Sequence, residues 1–200
     1  MSQPSETSTI RFYDDHADEF ISGTVDVDME SLYRPFLELV PGDGRILDAG
    51  CGSGRDTKAF LERGYQVTAS DASGKMIEAT TRLTNRPAKQ MRIQELEDQD
   101  EFDAIWACAS VLHISRVELD DVLKRFATAL RPEGICYLSF KEGNGERTER
   151  GRHFTDFTAS SLRAKLEQQS SFVIIRVWAD NDLRPDQVGE RWVNALVRKV

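Results

Sequence analysis

Apolar or aromatic residues fall at Ile10, Tyr13, Ala17, Phe20 and Ile21. That three-and-four spacing predicts an amphipathic helix over Ile10–Ile21, preceded by a frayed terminus at residues 1–9. A second helix is predicted over Met29–Val40, with Leu32, Phe36, Leu37, Leu39 and Val40 on one side, and Pro41-Gly42-Asp43-Gly44 stops it. Strands and helices then alternate. Short apolar runs predict strands at 45–49, 66–70, 90–93, 102–108, 135–140, 172–178 and 192–198. Helical patterns fill 55–63, 72–84, 116–130 and 158–168, with Gly64 as a C-terminal stop. Arg131-Pro132-Glu133-Gly134 reads as a turn, and Lys141 to His153 reads as a charged loop.

This order predicts an α/β fold: a Rossmann-like, seven-stranded, mostly parallel sheet with helices on both faces. The last two strands have no helix between them, so the final strand is expected to run antiparallel. Ligands of such open sheets bind beyond the carboxyl ends of the strands.

Composition narrows the class. Of 200 residues, 40% are apolar and 13 are glycine, enough for a folded core. The net charge of −8 argues against general nucleic-acid binding. No apolar run approaches membrane-spanning length, and Met1–Ser8 carries no secretory pattern. Cys51, Cys108 and Cys136 are too scattered for a disulfide framework or a metal site, and read as small buried apolar residues. A cytoplasmic protein of one domain over 1–200, monomeric or homodimeric, is expected.

The sharpest chemical signal is Ile46-Leu47-Asp48-Ala49-Gly50-Cys51-Gly52-Ser53-Gly54. Glycines let the chain turn tightly and a ligand approach the backbone. Asp71 follows Gly50 by 21 residues, at the end of the second strand, where an acid accepts ribose hydroxyls. A nicotinamide-dinucleotide fingerprint, G-x-G-x-x-G/A, would place Arg55 at its last position, too bulky for close helix–strand contact. Asp48 suits the ammonium of an amino acid better than a pyrophosphate. The combination favours S-adenosylmethionine (SAM), released as S-adenosylhomocysteine (SAH).

The chain resembles the class I SAM-dependent methyltransferases. It is most similar to a small bacterial group related to the tellurite-resistance and ubiquinone-biosynthesis types. The likeness runs through Arg11-Phe12-Tyr13-Asp14, Leu47 to Thr57, Asp71-Ala72-Ser73 with Met76, and Phe102 to Ala107. It continues at Leu112-His113, Leu130 to Gly134, Ser139-Phe140-Lys141, Gly151 to Phe154, Leu183-Arg184-Pro185 and Trp192-Val193-Asn194. It implies the class I methyltransferase fold, with a helical lid at 1–40, a cofactor-binding half at 41–140 and a substrate-side half at 141–200. It further implies that Asp48 and the Gly50–Gly54 backbone hold the methionine part of SAM. Asp71 would hold the ribose and Ala72 flank the adenine. One of Gln94, Glu95 and Leu96 would meet the adenine amino edge, Ala107 would offer backbone groups, and Tyr13 resembles a lid aromatic. Ala49, Cys51, Ser73 and Met76 complete the expected cofactor shell.

Methyl transfer from a sulfonium rests largely on positioning and water exclusion, with a base helping amine or hydroxyl acceptors. His113, just beyond the fourth strand, is the candidate base. Arg152 and Arg184, with Lys141, are candidates for binding an anionic substrate. The stretch after the fourth strand, Ala107-Cys108-Ala109-Ser110, lacks the Asn/Asp-Pro-Pro-Tyr/Phe of nucleic-acid amino methylases. A small-molecule acceptor, at O, N, S or a metalloid, is therefore expected. A catalytically silent SAM-binding partner protein is the alternative, and a dinucleotide-dependent oxidoreductase a third.

Overall fold

The computed structural model describes residues 6–200. Helices α1 (Glu6–Asp15), α2 (Ala17–Thr24) and α3 (Glu30–Leu37) precede strand β1 (Arg45–Ala49). Then come α4 (Arg55–Glu62), β2 (Gln66–Asp71), α5 (Gly74–Thr84), β3 (Lys89–Gln90) and β4 (Phe102–Ala107). The chain continues through α6 (Leu119–Ala129), β5 (Leu130–Lys141), β6 (Gly145–Glu149), β7 (Arg152–Asp156), α7 (Ala159–Glu167), β8 (Phe172–Asn181) and β9 (Arg191–Lys199).

Seven strands form the expected sheet, in the order β3-β2-β1-β4-β5-β9-β8. The pairs from β3 to β5 are parallel, and β9 runs antiparallel to both β5 and β8. Chain order reverses between β1 and β4, which opens a crevice at their carboxyl ends. One face buries Phe36, Phe60, Trp106 and Tyr137 with α3 and α4. The other buries Ile105, Leu123, Phe126, Leu138, Leu162 and Leu166 with α6 and α7. Caps fix helix starts: Ser73 Oγ accepts the Met76 N–H, and Thr158 accepts the Ser161 N–H. Among the described residues, no helix is long and apolar enough to cross a membrane.

Several expected boundaries need correction. Residues 1–5 of the expected frayed terminus lie outside the described residues, whereas Glu6–Thr9 already belong to α1. The helix expected over Ile10–Ile21 is two helices meeting at His16, which leaves helical geometry while its ring stacks on Phe12 at 4.3 Å. The 116–130 helix begins only at Leu119, after a loop whose Ser115 and Glu118 side chains bond each other. The 131–134 turn lies inside β5, where Glu133 takes a left-handed φ of 64° and the strand bulges.

The largest difference is the supposed charged loop. Residues 145–156 form a hairpin, β6 against β7, turned by Arg150 (φ 49°) and Gly151 (φ 79°). Its charged residues pair across the ribbon, Arg147 with Asp156, while Phe154 is buried. Charge density hid a strand, β7, that is buried from His153 to Asp156.

Candidate active site

A cavity of about 690 Å³ opens at the carboxyl ends of the strands. Its walls come from α1, α2, the loops after β1, β2 and β4, the β6–β7 hairpin and the β8–β9 connection. The loop after β1 is forced by its neighbours. Gly50, Gly52 and Gly54 all have positive φ. A Cβ on Gly50 would overlap the Cβ of Ser110 in the loop after β4, and one on Gly54 would lie 2.8 Å from the Thr80 Cα of α5. These two glycines serve protein packing, while Gly52 lies under the Phe20 ring.

The loop's hydrogen bonds decide what it can hold. Gly50 and Cys51 N–H donate to Ser70 O, Gly54 N–H donates to Cys51 O, and Gly52 N–H donates to Asp71 Oδ2 at 3.0 Å. A phosphate cradle needs free N–H groups, and four of this loop's five are already bound internally. The loop suits a cationic ligand better than a diphosphate.

Asp71 also accepts the Ser73 N–H at 2.9 Å, leaving carboxylate lone pairs for a ligand. Burial pushes its pKa up, against the pull of those N–H groups. Asp48 is buried and accepts from Thr57 Oγ1 at 2.5 Å, and burial, then the nearby Asp56 charge, raises its pKa. Asp48, Ala49, Gly54, Glu95, Leu96 and Ala107 lie off the cavity wall, whereas Tyr13, Gly50, Cys51, Gly52, Asp71, Ala72, Ser73, Met76 and Gln94 line it. Cys108 and Ala109 line it where Ala107 was expected. Within the expected trio after the third strand, Gln94 is the member on the wall, and its Oε1 is buried without a partner. Glu95 is held by Arg92 at the surface.

Tyr13 and His113, expected in separate roles, are bonded to each other. His113 Nδ1 lies 2.6 Å from the His153 carbonyl, which can only accept, so Nδ1 carries the proton. Nε2 therefore accepts from the Tyr13 hydroxyl at 2.7 Å. Burial lowers the His113 pKa to about 4, with Arg152 acting in the same direction. Burial raises the Tyr13 pKa. The Tyr13 ring meets Phe20 edge-on at 5.1 Å, so α1 and α2 reach across the glycine loop. Asp14 accepts from Ser73 Oγ at 2.6 Å, and Thr9 Oγ1 accepts the His153 N–H at 3.1 Å. Asp14, not among the residues expected at the site, lies in the last turn of α1 and also accepts the Lys75 N–H at 3.2 Å, so it meets the start of α5 only through the fold.

The three candidate cations separate. Lys141 pairs with Glu190 at 2.7 Å and Asp182 at 3.4 Å. Arg184 holds Asp182 through two guanidinium hydrogen bonds and its backbone N–H, which, with the Trp192 N–H, keep that carboxyl well below its usual range against the effect of burial. Arg152 instead lies over Phe12 at 4.3 Å and Phe154 at 5.0 Å, its Nε is buried without a partner, and no ion pair engages it among the described residues.

Comparison with known proteins agrees with this architecture. A family model described as a methyltransferase domain matches residues 46–134. The putative methyltransferase YqeM of Bacillus subtilis (strain 168) is 31% identical over 114 residues, covering 51% of this chain and 46% of that protein. A ubiquinone biosynthesis O-methyltransferase of Xanthomonas axonopodis pv. citri (strain 306) is 28% identical, covering 50% of this chain and 44% of that protein. The chain thus spans less than half the length of these two relatives. The 1,6-didemethyltoxoflavin-N1-methyltransferase of Burkholderia thailandensis, solved with 1,6-didemethyltoxoflavin and SAH, superposes with a TM-score of 0.75 and 25% identity over 100% of this chain and 92% of that one. The chain has the class I SAM-dependent methyltransferase fold, and its residues 46–134 match the methyltransferase-domain model. The cofactor of this family is SAM. The fold alone does not name a reaction, since the [4+2]-cyclase SpnF shares it at a TM-score of 0.74 and 18% identity.

Proposed function

We propose that this class I methyltransferase binds SAM and methylates a small anionic molecule at O, N, S or a metalloid. The carrying observation is the β1 loop, whose N–H groups are used internally beside an available Asp71 carboxylate. Bound SAM supplies an electrophilic methyl group on a sulfonium. Asp71 takes the ribose hydroxyls, and Gln94 Oε1, an orphaned buried acceptor, takes the adenine amino group. Tyr13 and Phe20 close over the loop and exclude water. Asp48 acts from behind, bound to Thr57 under the loop. Cys51, Ala72, Ser73 and Met76 shape the wall, with the Ser73 hydroxyl engaged by Asp14 and Met76.

Arg152 carries the anionic part of the acceptor. Lys141 and Arg184 act as a neutralised wall, because Asp182 and Glu190 already balance them. His113 serves as a holder of Tyr13, since its free nitrogen is already occupied. That occupied nitrogen also favours the second reading, a silent SAM-binding partner, unless the acceptor reacts as an anion and needs no base. The lid lies in the first 40 residues, the cofactor half follows to about 140, and the substrate side comes last. A cytoplasmic setting and a monomer or homodimer fit this role.

Calorimetry with SAM and SAH tests the cofactor, and a methyl-release assay over small organic anions tests transfer. Asp71→Asn is expected to weaken SAH binding at least tenfold, about 1.4 kcal/mol. Indifference of the wild-type protein to millimolar SAM and SAH would overturn the proposal, and binding without any methyl release would leave the partner role.

A further inference from the structure

Asn194 lies on β9 opposite Ser139 of β5, on the sheet face that forms the cavity floor beyond Trp106 and Tyr137. Its side chain is 1% exposed. The Tyr137 hydroxyl donates to Asn194 Oδ1 at 2.7 Å, which turns the amide nitrogen away from Tyr137. Tyr137 is itself fixed, stacked on Trp106 at 4.0 Å. The Ala109 N–H donates to Ser139 Oγ at 2.7 Å, so the neighbouring hydroxyl oxygen is also engaged. Asn194 Nδ2 is left buried and without a partner. An unmet buried N–H is costly, and native proteins rarely keep one without a reason. Here the surrounding wall is Tyr137, Ser139, Trp192 and Cys108, and the group missing a partner is a donor.

We propose that Asn194 is a specificity residue whose amide N–H binds a carbonyl oxygen or ring nitrogen of the methyl acceptor. This rests on the methyltransferase reading above and narrows its substrate class. The acceptor is an organic anion with a second, uncharged hydrogen-bond acceptor, met by Arg152 at one end and Asn194 at the other. Among the buried side-chain atoms of the cavity wall without a partner, Arg152 Nε and Asn194 Nδ2 can only donate and so ask for acceptor atoms, while the Ser110 hydroxyl can donate or accept. Rigid support from Tyr137 and Trp106 makes Asn194 selective, because a ligand lacking the acceptor atom leaves the N–H unpaired.

Three compounds serve as probes in calorimetry on the SAH-loaded protein: orotate (carboxylate plus ring carbonyls), uracil (ring carbonyls alone) and benzoate (carboxylate alone). The wild-type protein is expected to bind orotate best. Asn194→Leu should weaken orotate and uracil at least tenfold, leaving benzoate and SAH within twofold. Arg152→Gln should weaken orotate and benzoate and spare uracil. Should Asn194→Leu fail to fold by circular dichroism, Asn194→Ser replaces it with the same expectation. Equal effects of the Asn194 variant on all three probes, or no binding of orotate and uracil at millimolar levels, overturn the proposal. If SAH itself does not bind, the cofactor reading fails instead, and the same probes on the unloaded protein still decide the role of Asn194.

Discussion

The Tyr13 hydroxyl donates to His113 Nε2 at 2.7 Å, while His113 Nδ1–H is held by the His153 carbonyl at 2.6 Å. The imidazole is thus fixed in one tautomer between the first helix and the hairpin. Its neutrality follows from its place: it is packed against Phe154 and Tyr13, with the Arg152 charge close by.

Acid should undo that arrangement. An unfolded histidine titrates near 6.5, whereas burial lowers His113 to about 4. Between those values the unfolded chain binds the extra proton, so stability falls as pH drops from about 6.5 to about 4. The contribution is at most about 3 kcal/mol. Urea denaturation of wild type and His113→Gln at pH 7, 5.5 and 4.5 measures it. The wild type should lose more stability over this interval than the variant, and parallel losses would show that His113 titrates normally.

Removing the phenol oxygen isolates the latch. Tyr13→Phe keeps the ring on Phe20 but leaves His113 Nε2 without its donor. We expect a stability loss of about 1 kcal/mol. If α1 closes over the cofactor, SAH affinity should fall about fivefold, read by calorimetry at pH 7.5. An unchanged affinity would separate this hydrogen bond from cofactor binding.

The sheet and its strand count were readable because apolar runs and glycine stops recur in βα order. The hairpin at 145–156 was not readable, because cross-strand ion pairs such as Arg147–Asp156 resemble the composition of a solvated loop. Within the candidate site, Asp71 and the glycine spacing were visible as local patterns. The Tyr13–His113 bond joins residues 100 positions apart, and Asn194 owes its setting to Tyr137, 57 positions away. No local pattern encodes such pairs. Lys141 and Arg184 illustrate the converse: they were readable as cations, but their neutralisation by Asp182 depends on the β8–β9 connection.

Gly50 tests the packing account of the loop. Its φ of 87° disfavours any side chain, and an added Cβ would overlap that of Ser110. Gly50→Ala should cost about 3 kcal/mol or more in stability, from strain and overpacking together. Gly52→Ala meets only the Phe20 ring edge at 3.3 Å, so its packing penalty should be smaller despite the positive φ. Thermal denaturation of the two variants orders them; a reversed order would move the structural burden from Gly50 to Gly52.

Arg55, the residue that breaks the dinucleotide pattern, is held by Asp56 through Nε at 2.6 Å and Nη2 at 3.0 Å. Asp56 also accepts from Tyr33 Oη at 2.5 Å and Trp106 Nε1 at 2.8 Å, so one buried carboxylate joins α3, α4 and β4. Arg55 further donates to the Thr24 carbonyl at the end of α2. Breaking such a pair by deleting one charge leaves the other buried and uncompensated. Asp56→Asn should therefore cost about 3–5 kcal/mol in urea denaturation. The double variant Arg55→Met/Asp56→Leu removes both charges and should recover a substantial part of that loss. It also releases α2, so its SAH affinity should stay below wild type even where stability returns. A double variant as unstable as Asp56→Asn would mean that the Tyr33 and Trp106 hydrogen bonds, rather than the ion pair, carry the stability of this corner.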